Sequence, residues 1–166
     1  MKWKWDEMAT YCTNHPEEIK AVVKLCLENN KDIQINASMI LQRLIDKDKN
    51  ILNPYLGLLI TYLKKNVHDA VKRMVIRVFQ TAEIPKNAEG ELFEYSIKNL
   101  KSQEAPIAFK VFSMTVARRI CEKYPELMAE LIPYLEMIIE EKPSAGLVNR
   151  AKKELKQLQD LSGKNT

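Results

Sequence analysis

The scarce reactive side chains of this chain are two histidines and three cysteines, and any site chemistry would start with them. Cys12 and His15 stand three residues apart. At that spacing a thiol and an imidazole can share a zinc ion or act as nucleophile and base. Zinc needs a second pair at comparable spacing, and the sequence has none. A reactive thiolate needs an electropositive, partly exposed setting, which nothing around Cys12 signals. His15 precedes Pro16 and His68 precedes Asp69, so both read as helix-start residues. Ser96 and Ser113 lie inside helical patterns far from either histidine and read as packing residues. Glu136, Glu140 and Glu141 fall at i, i+4 and i+5. Acid–base work would need an apolar pocket around one of them, and the reading here is an exposed acidic face. The four glycines, Gly57, Gly90, Gly146 and Gly163, are too far apart for a phosphate-cradling loop. The expectation is therefore no catalytic residue, no metal, no cofactor and no enzymatic activity.

Trp3 and Trp5, interleaved with Lys2 and Lys4, could stack on bases or touch a membrane. Five residues are too few for a membrane-bound helix, so the pair is read as covering the open apolar end of a repeat array. The start of the chain lacks an apolar signal segment, and no run reaches the roughly 18 apolar residues of a span. Cys12, Cys26 and Cys121 are odd in number and widely separated, which reads as reduced, buried thiols in a cytoplasmic protein.

The elements that would position these residues are helical almost throughout. Ile19, Val22, Val23, Cys26 and Leu27 recur at i, i+3, i+4, i+7 and i+8. Comparable stripes start at Ile40, Leu56, Val71, Leu92, Val111, Met128 and Val148. Breaks fall at Asn14-His15-Pro16, Asn29-Asn30, Asn53-Pro54, Asn66, Ile84-Pro85, Tyr124-Pro125 and Lys142-Pro143. With a short helix around Trp5 to Tyr11, about nine helices are expected and no strand. The chain of 166 residues is 46% hydrophobic, which excludes wholesale disorder and suits one domain. That domain is expected to span residues 1–161, with 162–166 as a frayed tail.

The helices repeat. Asn53-Pro54-Tyr55-Leu56 returns as Ile132-Pro133-Tyr134-Leu135 at an offset of 79, and Val71-Lys72-Arg73-Met74 as Val148-Asn149-Arg150-Ala151 at 77. Ala37, Val71, Ala108 and Val148 head successive second helices at steps of 34, 37 and 40. Leu131-Ile132-Pro133-Tyr134-Leu135 resembles the Pro-kinked first helix of a HEAT repeat, and Asp69-Ala70-Val71-Lys72 the Asp-x-Val-Arg start of its second helix. The resemblance covers about residues 16 to 160. The third pair lacks the first-helix proline, and the fourth has Asn149 where a basic residue is expected. The resemblance implies an all-α fold, an α-α superhelix (HEAT/ARM-like solenoid) of about four helix pairs plus a short N-terminal helix. Ala108-Phe109-Lys110-Val111-Phe112-Ser113-Met114 and Lys152-Lys153-Glu154-Leu155-Lys156-Gln157-Leu158 also look like segments of small bacterial HEAT-like proteins. Some of these carry an adenylosuccinate lyase label. That superfamily's Gly-Ser-x-x-Met-Pro-x-Lys-x-Asn loop does not occur here, and the label is rejected.

The net charge of +4 divides unevenly. The four first helices sum to −4, with −5 on residues 125–141 alone, whereas the second helices sum to +7. In solenoids resembling HEAT arrays the second helices line the concave surface. Aligning them places Arg73, Lys110 and Arg150 at one position and Arg43 and Arg77 one turn on, with Lys72 alongside. One reading is a solvated face whose cations pair with carboxylates such as Asp46 or Asp69. The other is a ladder that captures an acidic protein or peptide, with no membrane contact and an oligomeric state left open. The competing ligand for such a ladder is nucleic acid, as in HEAT-like DNA glycosylases, although those enzymes keep aromatic and acidic residues within the concavity.

Overall fold

A computed structural model of the chain describes the backbone of residues 2–164 and the side chains of 4–161 and 163. Among the described residues there are nine α-helices and no strand. The chain divides into two compact units, Met1–Ala88 and Glu89–Thr166.

The first unit holds α1 (Lys2–Asn14), α2 (Ile19–Leu25), α3 (Lys31–Lys47), α4 (Leu56–Tyr62) and α5 (Asp69–Val78). The pairs α2/α3 and α4/α5 are the first two repeats. Their second helices, α3 and α5, pack side by side, and α1 lies against the other flank of α3. The contacts Asp6–Arg43, Lys47–Thr10, Gln34–His68 and Asp46–Arg77 all rise together in number, so α1, α3 and α5 run parallel as one layer. The stripes of the sequence are what the layer buries: Leu41, Leu44, Leu59, Met74 and Val75 have no exposed surface. The hydroxyl of Tyr62 on α4 donates to the Val23 carbonyl of α2 at 3.0 Å and fastens one first helix to the other.

The second unit holds α6 (Glu89–Lys101), α7 (Ile107–Cys121), α8 (Met128–Glu141) and α9 (Ala145–Lys164). Here α7 packs against α6, α8 and α9, around Leu92, Leu100, Met114 and Ile120. Helix α9 continues to Lys164, and Asn165 and Thr166 lie outside the described residues.

The breaks have local causes. Three first helices open on a 3-10 turn carrying proline, at Pro16–Glu18, Asn53–Tyr55 and Pro125–Leu127. The third pair, lacking that proline, opens on Lys86–Ala88, directly after Pro85. Proline suits this place because its fixed φ fits a first turn whose N–H has no partner to lose. Asn30 caps α3, its Oδ1 accepting from the Asp32 and Ile33 amides at 2.9 and 3.2 Å. Helix α8 ends on Lys142 in the left-handed region, at φ 51°, with Pro143 next to stop it.

Candidate functional site

The second helices of the two units carry every side chain that the charge pattern singles out, and all six are half-buried. In the first unit a row of ion pairs crosses three helices. Arg43 Nε of α3 lies 2.9 Å from Asp6 Oδ1 of α1, a Coulombic contact, since the N–H is not directed at that oxygen. Arg43 Nη1 is 3.6 Å from Asp46 Oδ2, and the other oxygen of Asp46 accepts Arg77 Nη2 of α5 at 2.5 Å. Asp46 therefore holds both arginines that the sequence places one turn along the ladder. Each such exposed pair contributes only about 0–1 kcal/mol, so the row neutralises charge more than it stabilises the fold. One turn earlier on α5, Lys72 and Arg73 have no carboxylate within ion-pair distance among the described residues. Asp69, the other carboxylate suggested as a partner, is exposed and bridges to neither.

In the second unit the cations of the second helices are treated differently. Lys110 of α7 is half-buried and has no ion pair among the described residues. Arg150 of α9 is held inside the fold, its Nη1 donating to Thr115 Oγ1 at 2.5 Å and lying 3.6 Å from Glu154 Oε1. Glu154 is the centre of this cluster and is only 1% exposed. Its Oε1 accepts the Thr115 hydroxyl at 2.6 Å and its Oε2 accepts Arg118 Nε at 2.7 Å, while Arg118 also pairs with Glu122. Buried carboxylates persist when guanidinium and hydroxyl donors replace their lost water. The sequence reading missed Glu154, Thr115 and Arg118 as a unit. A signal was present, because Glu154 falls three residues after Ala151 and four before Leu158, on the stripe that α9 buries.

Both histidines first considered for chemistry make structural contacts. His68 caps α5, its Nδ1 accepting the Ala70 amide at 3.1 Å, and its own amide donates to Gln34 Oε1 at 2.5 Å. His68 and Gln34 also line a surface cavity of about 390 Å³ before α3 and α5. His15 lies against the Tyr11 ring, with centroids 4.4 Å apart, and its Nδ1 is 3.5 Å from Glu17. Glu136, Glu140 and Glu141 are exposed on α8. Ser113 Oγ accepts Asn99 Nδ2 at 3.0 Å, and Ser96 is fully buried. Among the described residues no three of His, Cys, Asp and Glu converge as a metal site requires. No described helix is long and apolar enough to cross a membrane. Trp5 is half-buried against α3, donating through Nε1 to Asn36 Oδ1 at 2.8 Å; the Trp3 side chain lies outside the described residues.

The three cysteines are free and buried. Burial pushes the Cys26 and Cys121 thiols up to about 12, and raises Cys12 with help from Glu18. Burial likewise lifts the Tyr62 hydroxyl to about 12. In the unfolded chain these thiols ionise near their ordinary value of 9.0, whereas the folded chain keeps their protons. The folded state then binds more protons, so stability falls as pH rises. These groups leave stability unaltered well below pH 9 and lower it progressively between about pH 9 and 12. Urea midpoints measured at pH 7.5 and 10.5 should show the drop. A thiol reagent at pH 8 should titrate all three cysteines in denaturant but none rapidly in native buffer.

The family model for the HEAT repeat domain matches residues 2–158, nearly the whole chain. No curated protein sequence and no solved structure matches it significantly.

Proposed function

Because the chain belongs to the HEAT repeat domain family, we propose that it is a non-enzymatic protein-interaction module that binds an acidic peptide or protein through its second helices. The proposal takes residues 1–161 as one functional domain and Arg43, Lys72, Arg73, Arg77, Lys110 and Arg150 as its contact set. The observation that carries it is the difference between two groups of half-buried cations. Arg43, Arg77 and Arg150 have protein partners, whereas Lys72, Arg73 and Lys110 have none among the described residues. A half-buried cation has lost part of its water without receiving a counter-charge, and an incoming carboxylate supplies one. The charge of the partnered cations is largely met by Asp6, Asp46 and Glu154, so the attraction for an acidic ligand rests on the other three. The free, buried thiols suit a cytoplasmic location.

The test is binding of a labelled acidic peptide, or capture of an acidic partner, by the Lys72→Glu/Arg73→Glu double variant. Loss of roughly tenfold affinity per reversed residue is expected, about 1.4 kcal/mol each, with the helical circular dichroism spectrum retained. Unaltered binding would remove the basic layer as the site. Nucleic acid is the competing ligand for the same cations. Duplex DNA binding that falls steeply between 50 and 200 mM salt, on the order of 10³-fold or more, would assign them to phosphates instead.

A further inference from the structure

The layer of α1, α3 and α5 in the first unit presents two rows of different chemistry. The row at Asp6, Arg43, Asp46 and Arg77 alternates in sign and is internally neutral. One turn N-terminal to it the pattern changes. Arg73 on α5 corresponds to Met39 on α3, 34 residues earlier, the same separation that joins His68 to Gln34 and that relates Arg77 to Arg43. Where the lower row sets a carboxylate against each arginine, α3 here offers a thioether. Met39 is half-buried, and its sulfur lies 3.7 Å from Gln42 Nε2. Beyond it, on α1, the half-buried ring of Trp5 is fixed to Asn36, three residues before Met39 on the same helix. The upper row therefore runs from an aromatic ring to a thioether to a guanidinium, with Lys72 beside Arg73.

Resting on the reading above, we infer that this row selects an acidic linear peptide in which a Glu or Asp stands near a large apolar residue. The carboxylate meets Arg73 and Lys72, and the apolar side chain covers Met39 and Trp5. Charge complementarity favours this occupant. The neutral lower row gives an acidic chain no net attraction, while the upper row has two cations without carboxylates. A purely acidic segment would leave Trp5 and Met39 facing water; a purely apolar one would bury two cations without a counter-charge. Thioether and indole suit such a surface because both are polarisable and adapt to varied apolar groups. Spacing narrows the ligand further. Packed helices lie about 8–10 Å apart, and a polyproline II segment turns its side chains back to one side every three residues, over about 9 Å. The acidic and apolar residues of the peptide should therefore stand about three apart.

The test uses the full chain and two labelled decapeptides. In one, Glu recurs three residues from Leu; its twin has Ser for each Leu. Fluorescence anisotropy should show the Leu peptide binding at least fivefold more tightly. Met39→Ser should remove that preference while leaving the affinity for the Ser twin unaltered. Trp5→Ala should do the same, and its melting temperature shows whether it still folds. In a Trp3→Phe background, Trp5 emission should shift to the blue with the Leu peptide only, which checks the contact without altering Trp5. Arg73→Glu should weaken both peptides roughly tenfold. Equal affinity for the twins, with Arg73→Glu weakening both, overturns this inference and leaves the basic-layer reading standing. Absence of binding by either peptide at low salt overturns both. Tighter binding of an oligothymidine strand than of either peptide, lost in Trp5→Ala, overturns the peptide assignment in favour of base stacking.

Discussion

Glu154→Ala is expected to lower stability by about 3–5 kcal/mol, the cost of breaking a buried ion pair and leaving charge behind. Glu154 is 1% exposed, and the side chain of Arg118 that it serves is only 12% exposed. Removing the carboxylate strips Arg118 Nε of its acceptor and takes away the carboxylate beside Arg150, which keeps the Thr115 hydroxyl. Arg118 keeps Glu122, which holds the loss towards the lower end of that range. The measurement is the urea midpoint together with amide exchange in α7 and α9, where the opening should concentrate. Glu154→Gln separates charge from shape. It retains an oxygen for one donor, yet it cannot balance two guanidiniums, so most of the loss should persist. A drop of less than about 1 kcal/mol for either variant would mean that the cluster behaves as a surface network.

The second large effect is expected at Tyr62, which is fully buried and bonded to the Val23 carbonyl. Tyr62→Ala removes an aromatic ring from between two first helices and should cost about 3–5 kcal/mol. Tyr62→Phe keeps the ring and loses only the hydrogen bond, at about 1–2 kcal/mol. The Val23 carbonyl still accepts the Cys26 amide at 3.3 Å, which moderates that smaller cost. For a chain of this size each kcal/mol shifts the melting temperature by about 2–4 °C, so the two variants are distinguishable by a thermal scan. Equal losses would show that the hydroxyl, rather than ring packing, carries the position.

Both residues illustrate how differently the levels of this fold can be read. The stripe from Ile19 to Leu27, the Asn30 cap and the proline-bearing starts at Pro16, Pro54 and Pro125 were all legible from the chain, because each is settled within one or two turns of helix. Tyr62 was not singled out, because its value lies in a partner 39 residues away. The charge ladder was legible as a set of positions but not as a set of roles. Arg43, Arg77 and Arg150 look alike in sequence to Lys72, Arg73 and Lys110. What separates them is whether Asp6, Asp46, Thr115 or Glu154 is brought alongside.

Helix content, helix limits and the repeat of helix pairs follow from local hydrogen bonding and a 3.6-residue apolar period, and these reside in the order of residues. Which cations are spent inside the fold and which stay open to a ligand was decided by tertiary structure. Apart from Arg43–Asp46 and Arg150–Glu154, which lie within one helix, those pairings join residues 31 to 37 apart, and they depend on the register in which one helix settles against the next. That register is fixed by the packing of many side chains at once, so no short stretch of sequence carries it.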